Sequence, residues 1–153
     1  MNRTTWKNHE KAVARLFGSE RTPLSGGNGR ITRSDTLCPW IFFELKSGNV
    51  PRRIDAIHRL YAAATVAAQT LEADRHKLVV LVLHANGSSD SVENWLCYLR
   101  LWDGSAAGAF VAMRLKTLRV LTREHALPKD VYEGKPDPAT VLLESPSPES
   151  EPQ

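Results

Sequence analysis

Ser34-Asp35-Thr36-Leu37-Cys38-Pro39-Trp40-Ile41-Phe42-Phe43-Glu44-Leu45-Lys46 places an acid, an apolar run and an acid–lysine pair in one short stretch. The run Trp40 to Phe43 reads as a strand. Its nearly continuous hydrophobicity predicts burial on both faces and a central place in a sheet. Strand side chains alternate, so Glu44 and Lys46 are expected on one face and Leu45 on the other. A carboxylate and an ammonium then emerge together where the apolar run ends. Asp35 joins them if its segment runs beside that strand. Two acids and a lysine on one sheet suit a divalent metal, a water and a phosphodiester.

Upstream, Thr4 to Phe17 reads as a helix with Trp6, Val13, Leu16 and Phe17 as its apolar stripe. Glu10 falls on the same stripe, and a buried carboxylate needs a partner. Two readings are open: a pair with Arg15, Arg21 or another base, or a carboxylate aimed at the same metal site. Gly18 is expected to stop the helix, and Arg21 to Leu24 to run extended. Ser25-Gly26-Gly27-Asn28-Gly29-Arg30, with Arg33 after it, is glycine-rich but lacks the Gly-Lys-Ser/Thr of a P-loop. Its backbone amides and flanking arginines suit close approach to phosphate; a plain hairpin tip fits equally.

Downstream, Pro51 suits the first turn of a long helix to about Asp74, with Ile54, Ile57, Tyr61, Ala64, Ala68 and Leu71 at helical spacing. Arg52, Arg53 and Arg59 add positive charge near its start. Lys77 to Leu83 is the clearest strand, so strand, helix and strand form a right-handed parallel crossover. His84 begins a loop and is expected to be hydrogen-bonded there. Asn94 to Leu101 reads as a further strand with Trp95, Cys97, Leu99 and Leu101 on one face. Trp95 and Trp102 suit core or edge packing better than base stacking. Phe110 to Leu115 fits a strand or a helix start, with helix favoured through His125.

A net charge of +3 hides an asymmetry. Residues 133–153 hold five acids against one base, a net of −4, which leaves +7 on residues 1–132. Five of the nine prolines also follow Lys135, so residues 133–153 are expected to be a disordered acidic tail beside a basic domain of residues 1–132. Cys38 and Cys97 are far apart and outside any CxxC pattern, which disfavours zinc and disulfides and predicts buried thiols. No apolar run reaches the roughly 20 residues of a membrane span, and a cytoplasmic protein with no membrane partner is expected.

Glu-x-Lys alone is a weak motif. Its order here is more specific: Glu10 on a helix, Arg21-Thr22-Pro23-Leu24-Ser25-Gly26, then Ser34-Asp35-Thr36-Leu37, then Phe43-Glu44-Leu45-Lys46 leading into a helix. This order resembles the PD-(D/E)XK nuclease superfamily, in particular the small Holliday-junction-resolvase-like proteins of archaea and phages. The resemblance covers about residues 6 to 83. It implies an α/β fold with a restriction-endonuclease-like mixed β-sheet core flanked by helices. It also implies a metal-dependent DNA endonuclease, possible substrates being branched DNA such as a four-way junction, and a homodimer. By the same resemblance Asp35, Glu44 and the Leu45 main-chain carbonyl hold Mg²⁺ or Mn²⁺, and Glu10 completes the site directly or through a water. Lys46 orients or activates the attacking water and stabilises phosphate charge. Ser25 matches a position that contacts the scissile strand, and Arg21, Arg30, Arg33, Arg52 and Arg53 are the expected nucleic-acid contacts. Ser34 replaces the proline usual before the acid, a position that shapes the turn and supplies no ligand. The alternatives are a nuclease of other specificity (nicking, restriction or repair) and a non-catalytic nucleic-acid-binding module on the same fold.

Overall fold

The computed structural model describes residues 3–23, 31–101 and 108–124. Helix α1 spans Arg3–Leu16, strand β1 Ile41–Gly48, helix α2 Ile54–Thr70 and strand β2 Leu78–Ala85. Strand β3 (Leu96–Leu101), strand β4 (Ala109–Arg114) and helix α3 (Leu115–Glu124) follow. The four strands form one sheet in the order β1-β2-β3-β4, parallel between β1 and β2 and antiparallel beyond. The protein is therefore a mixed α/β fold, a mixed sheet flanked by helices. The predicted tail, residues 133–153, lies outside the described residues.

Phe42 and Phe43 are both fully buried although neighbouring strand residues point to opposite faces, so both faces of β1 are covered. Phe17, just after α1, covers one, its ring 4.9 Å from that of Phe43. Of the helical stripe read in the sequence, Ile57, Tyr61, Ala64 and Ala68 are the buried residues of α2, whereas Ile54 is exposed and Leu71 lies beyond the helix end. The helix is shorter than expected. Pro51 to Arg53 precede it, and Arg53 (ψ 136°) takes the cap position without a side-chain cap bond. The chain leaves α2 at Leu71 and makes a separate 3₁₀ turn over Glu72–Asp74.

Three other expectations need correction. Strand β1 is at one end of the strand order and not at its centre; its apolar run is buried because residues 34–36, not another long strand, line its outer edge. Phe110 to Arg114 is a strand, paired with β3 along its whole length, and the helix begins only at Leu115, whose N–H donates to the Trp95 carbonyl at 2.9 Å. An apolar stretch this short carries no decisive period. His84 belongs to β2, not to a loop. Where the chain enters β4, Gly108 takes a φ of 70°, and a Cβ there would come 2.7 Å from the Leu101 carbonyl oxygen.

Strands β2 and β3 pair only at Leu81↔Tyr98, Val82↔Cys97 and Leu83↔Leu96. Continuing that register would bring Val79 opposite Arg100. The Tyr61 hydroxyl occupies that place instead, donating to the Val79 carbonyl at 3.0 Å and accepting from the Arg100 N–H at 3.1 Å. A side chain of α2 thus replaces a ladder bond of the sheet. Tyr61→Phe would leave both main-chain groups unpaired in a buried setting and is expected to cost about 2–3 kcal/mol. Urea unfolding of both proteins checks this, and a loss below about 0.5 kcal/mol would show that the strands close on each other instead.

Cys38 and Cys97 are both buried and neither is in a disulfide, and burial pushes the Cys97 thiol up to about 12. No helix among the described residues is long and apolar enough to cross a membrane.

Candidate active site

The outer edge of β1 is built by two successive turns of chain. The Asp35 N–H donates to the Phe43 carbonyl at 2.9 Å, which lays residues 34–36 against β1. Residues 20–22 then pair with 35–37: the Thr22 N–H donates to the Asp35 carbonyl at 3.0 Å and the Leu37 N–H to the Glu20 carbonyl at 2.8 Å. Ser34 explains why a serine suits the position before the acid. Its buried hydroxyl accepts from the Phe43 N–H at 2.9 Å and from the Thr36 N–H at 3.3 Å, which a proline could not do.

Asp74 locks this segment from the other side of the chain. It is fully buried and accepts from the Thr32 hydroxyl, from the Arg33 N–H at 2.8 Å and from the Lys77 ammonium at 2.8 Å. Nothing local singles out Asp74, since an acid at the end of a helix reads as solvated.

Asp35 therefore arrives beside the Glu44-Leu45-Lys46 corner. Its Oδ2 accepts from the Leu45 N–H at 2.7 Å. The N–H and C=O of one strand residue point the same way, so the Leu45 carbonyl faces the same outer edge. Burial raises the pKa of Asp35 well above the ordinary value, and the nearby charges of Glu44 and Glu10 raise it further; the Leu45 N–H and Lys46 oppose this. Lys46 donates to Glu44 Oε1 at 2.8 Å. Burial works to lower the Lys46 pKa, but the bond and charge of Glu44, with Asp35, outweigh it and the pKa is raised. Lys46 is thus an ammonium at neutral pH.

Glu10 is buried on α1 and pairs with Arg21 Nε. The Arg21 guanidinium also lies 5.2 Å from the centre of the Trp6 ring. Glu10, Asp35, Glu44 and Lys46 are thus one electrostatic neighbourhood, joined by ion pairs and by the mutual effects of the three acids. The other expected contacts are more scattered. Arg33 is half-buried, its Nε lacking a hydrogen-bond partner. Arg52 and Arg53 are exposed near the start of α2, and Arg53 and Arg59 both pair with Asp55, at 3.2 and 3.1 Å. Ser25 and Arg30 lie outside the described residues.

A second group near this end of the sheet escaped the sequence reading. His84, opposite Ser47 in register, stacks on Trp95 with ring centres 3.9 Å apart, and His9 meets both rings edge-on. Burial lowers the pKa of both histidines, so they pack as neutral rings. They fix the flank of α1 next to Glu10.

The donor chemistry bears on a metal. Asp35, Glu44 and the Leu45 carbonyl are all hard oxygen donors, and Mg²⁺ is commonly held by one or two carboxylates while keeping several waters. Among the described residues, no group of three or more His, Cys, Asp or Glu side chains is placed to hold a metal ion. Asp35, Glu44 and Leu45 offer oxygen atoms of the type a hard cation takes, while Glu10 is held by Arg21.

No protein-family model, curated protein or solved structure matches this chain.

Proposed function

We propose that the protein is a metal-dependent endonuclease that hydrolyses phosphodiester bonds in DNA, on a restriction-endonuclease-like fold of the resolvase type, with branched DNA as its substrate class. The observation that carries this reading is the Asp35 carboxylate, bonded to the Leu45 N–H at 2.7 Å and pushed toward its protonated form by burial and by the nearby Glu44 and Glu10. Acids crowded until they repel are a costly arrangement for a fold alone and a natural one for a cation site.

A Mg²⁺ or Mn²⁺ held by Asp35, Glu44 and the Leu45 carbonyl would supply a Lewis acid at the phosphate and a water of lowered pKa. The rest falls to the chain. Asp35 holds its carboxylate at the outer edge of β1, bonded to the Leu45 N–H, and Glu44 supplies the second carboxylate, bonded to Lys46. Lys46, an ammonium, offers its charge to a nonbridging phosphate oxygen and acts as an electrostatic anchor in that state. Arg21 holds Glu10 beside the site, where the carboxylate orients water. Exposed Arg52 and Arg53 draw the DNA backbone toward the same end of the sheet. If the enzyme resolves junctions symmetrically, it acts as a homodimer with one site for each opposed strand.

The test is cleavage of labelled four-way junction, duplex and single-stranded DNA with Mg²⁺ or Mn²⁺, with EDTA as control. Lys46→Ala is expected to cut about 10²–10³-fold more slowly than wild type, the usual loss when one transition-state donor is removed. Retained binding without metal-dependent cutting by wild type favours the second reading, a nucleic-acid-binding module. One observation speaks for that reading: Glu10 and Glu44 each already hold a cationic side chain.

A further inference from the structure

Helix α3 lies outside the part of the chain that resembles any nuclease. It buries Leu115, Leu118 and Thr122, the positions that return at one helical face. Lys116, Arg119 and Arg123 are all exposed and spaced three and four residues apart, so they form one stripe along a neighbouring flank. Among the described residues, none of the three is in an ion pair. The only exposed acid in the 3₁₀ turn Val92–Asn94, against which α3 packs, is Glu93, and it pairs with none of them.

This stripe works against its own helix. Like charges at these spacings repel. The first turn of α3 carries no acid and does carry Lys116, at the end where the helix dipole disfavours a cation. Such an arrangement is relieved when a polyanion covers it. The stripe runs about 10 Å along the axis, close to the axial rise of about three phosphates on one strand of a duplex. We infer that the Lys116–Arg119–Arg123 face of α3 is a docking surface for the sugar-phosphate backbone of a nucleic-acid duplex, separate from the β1 edge. This rests on the nucleic-acid reading above and adds a place for a second duplex segment, such as another arm of a branched substrate. Contact through charge alone makes it independent of base sequence.

The experiment compares binding of labelled duplex and four-way junction by the full chain and by Lys116→Gln/Arg119→Gln/Arg123→Gln, over a series of salt concentrations and without divalent metal. Loss of three phosphate contacts is expected to lower the slope of log affinity against log salt by about 2–3 and to weaken binding about 10- to 100-fold near physiological salt. The neutral variant should melt no lower than wild type without DNA, which separates lost contact from lost fold. An unchanged slope and affinity in a folded variant would overturn the inference while leaving the nuclease reading intact. Failure of wild type to bind any nucleic acid would sink both. If the variant binds more tightly, or its effect vanishes when residues 133–153 are deleted, the stripe serves that acidic segment and not DNA, and the inference is again overturned.

Discussion

Asp35→Asn is expected to abolish metal-dependent cleavage, by about 10³-fold or more, and to make the protein melt at a higher temperature near neutral pH. The first effect follows from losing one of two charged metal-holding groups. The second follows from the acids around it. Burial, then Glu44 and Glu10, raise the Asp35 pKa above the ordinary value of 3.8. An acid with a raised pKa binds its proton more tightly in the folded chain. Protonation therefore stabilises the fold; this contribution is complete below the ordinary value and is lost as pH rises through the raised one. Asparagine keeps the acceptor for the Leu45 N–H and removes the charge, so its advantage should be largest near pH 7–8. It should fade as the pH falls toward the ordinary carboxyl range. Divalent metal gives the complementary readout. At about 100 times its dissociation constant, Mg²⁺ should stabilise wild type by about 2.7 kcal/mol and Asp35→Asn hardly at all. Melting curves with and without metal across pH test both. A variant that melts lower than wild type at pH 7–8 would show that the Asp35 charge is stabilising and that the site is not a strained acid cluster.

Asp74→Ala should give the largest loss of stability, about 3–5 kcal/mol, the usual result of removing one partner from a buried ion pair. Lys77 has only 8% of its side chain exposed and Asp74 none, so the ammonium would be left with little water. The Thr32 hydroxyl and the Arg33 N–H lose their acceptor as well. Denaturant unfolding measures the loss; a change below about 1 kcal/mol would show that water replaces the carboxylate. Asp74→Leu combined with Lys77→Met should recover much of it, because an apolar pair of similar volume avoids the desolvation cost. Residues 32–34 would still lack their anchor in the double variant. Cleavage should therefore remain impaired in a protein whose stability is restored, which separates positioning of Asp35 from folding.

Much of this architecture is written locally. The helical spacing of Ile57, Tyr61, Ala64 and Ala68 and the apolar runs of β1 and β2 each carry a clear period, and elements of that kind announce themselves. The Glu44–Lys46 pair needs only the alternation of one strand. What stayed hidden depends on contacts between distant residues. Nothing local in Asp74 says that it meets Thr32 and Arg33, nor does Tyr61 say that its hydroxyl reaches between two strands. The edge position of β1 was hidden for the same reason: burial by residues 34–36 and by a neighbouring strand leaves the same apolar signature. Phe110 to Leu115 was too short to choose between periods, and pairing with β3 decided it.

The lining of the outer edge of β1 also governs how copies of this chain can meet. Both main-chain groups of Phe43 and the Leu45 N–H, which an incoming strand would need, are engaged by Ser34 and Asp35. Strand β4 has a single partner, β3, among the described strands. A sheet with two open edges can recruit a neighbour on each side and grow without limit, whereas one sealed at one side can be extended only at the other. Strand-to-strand association of this protein would then stop at two copies, and the same residues that present Asp35 would serve as its safeguard against fibrous growth.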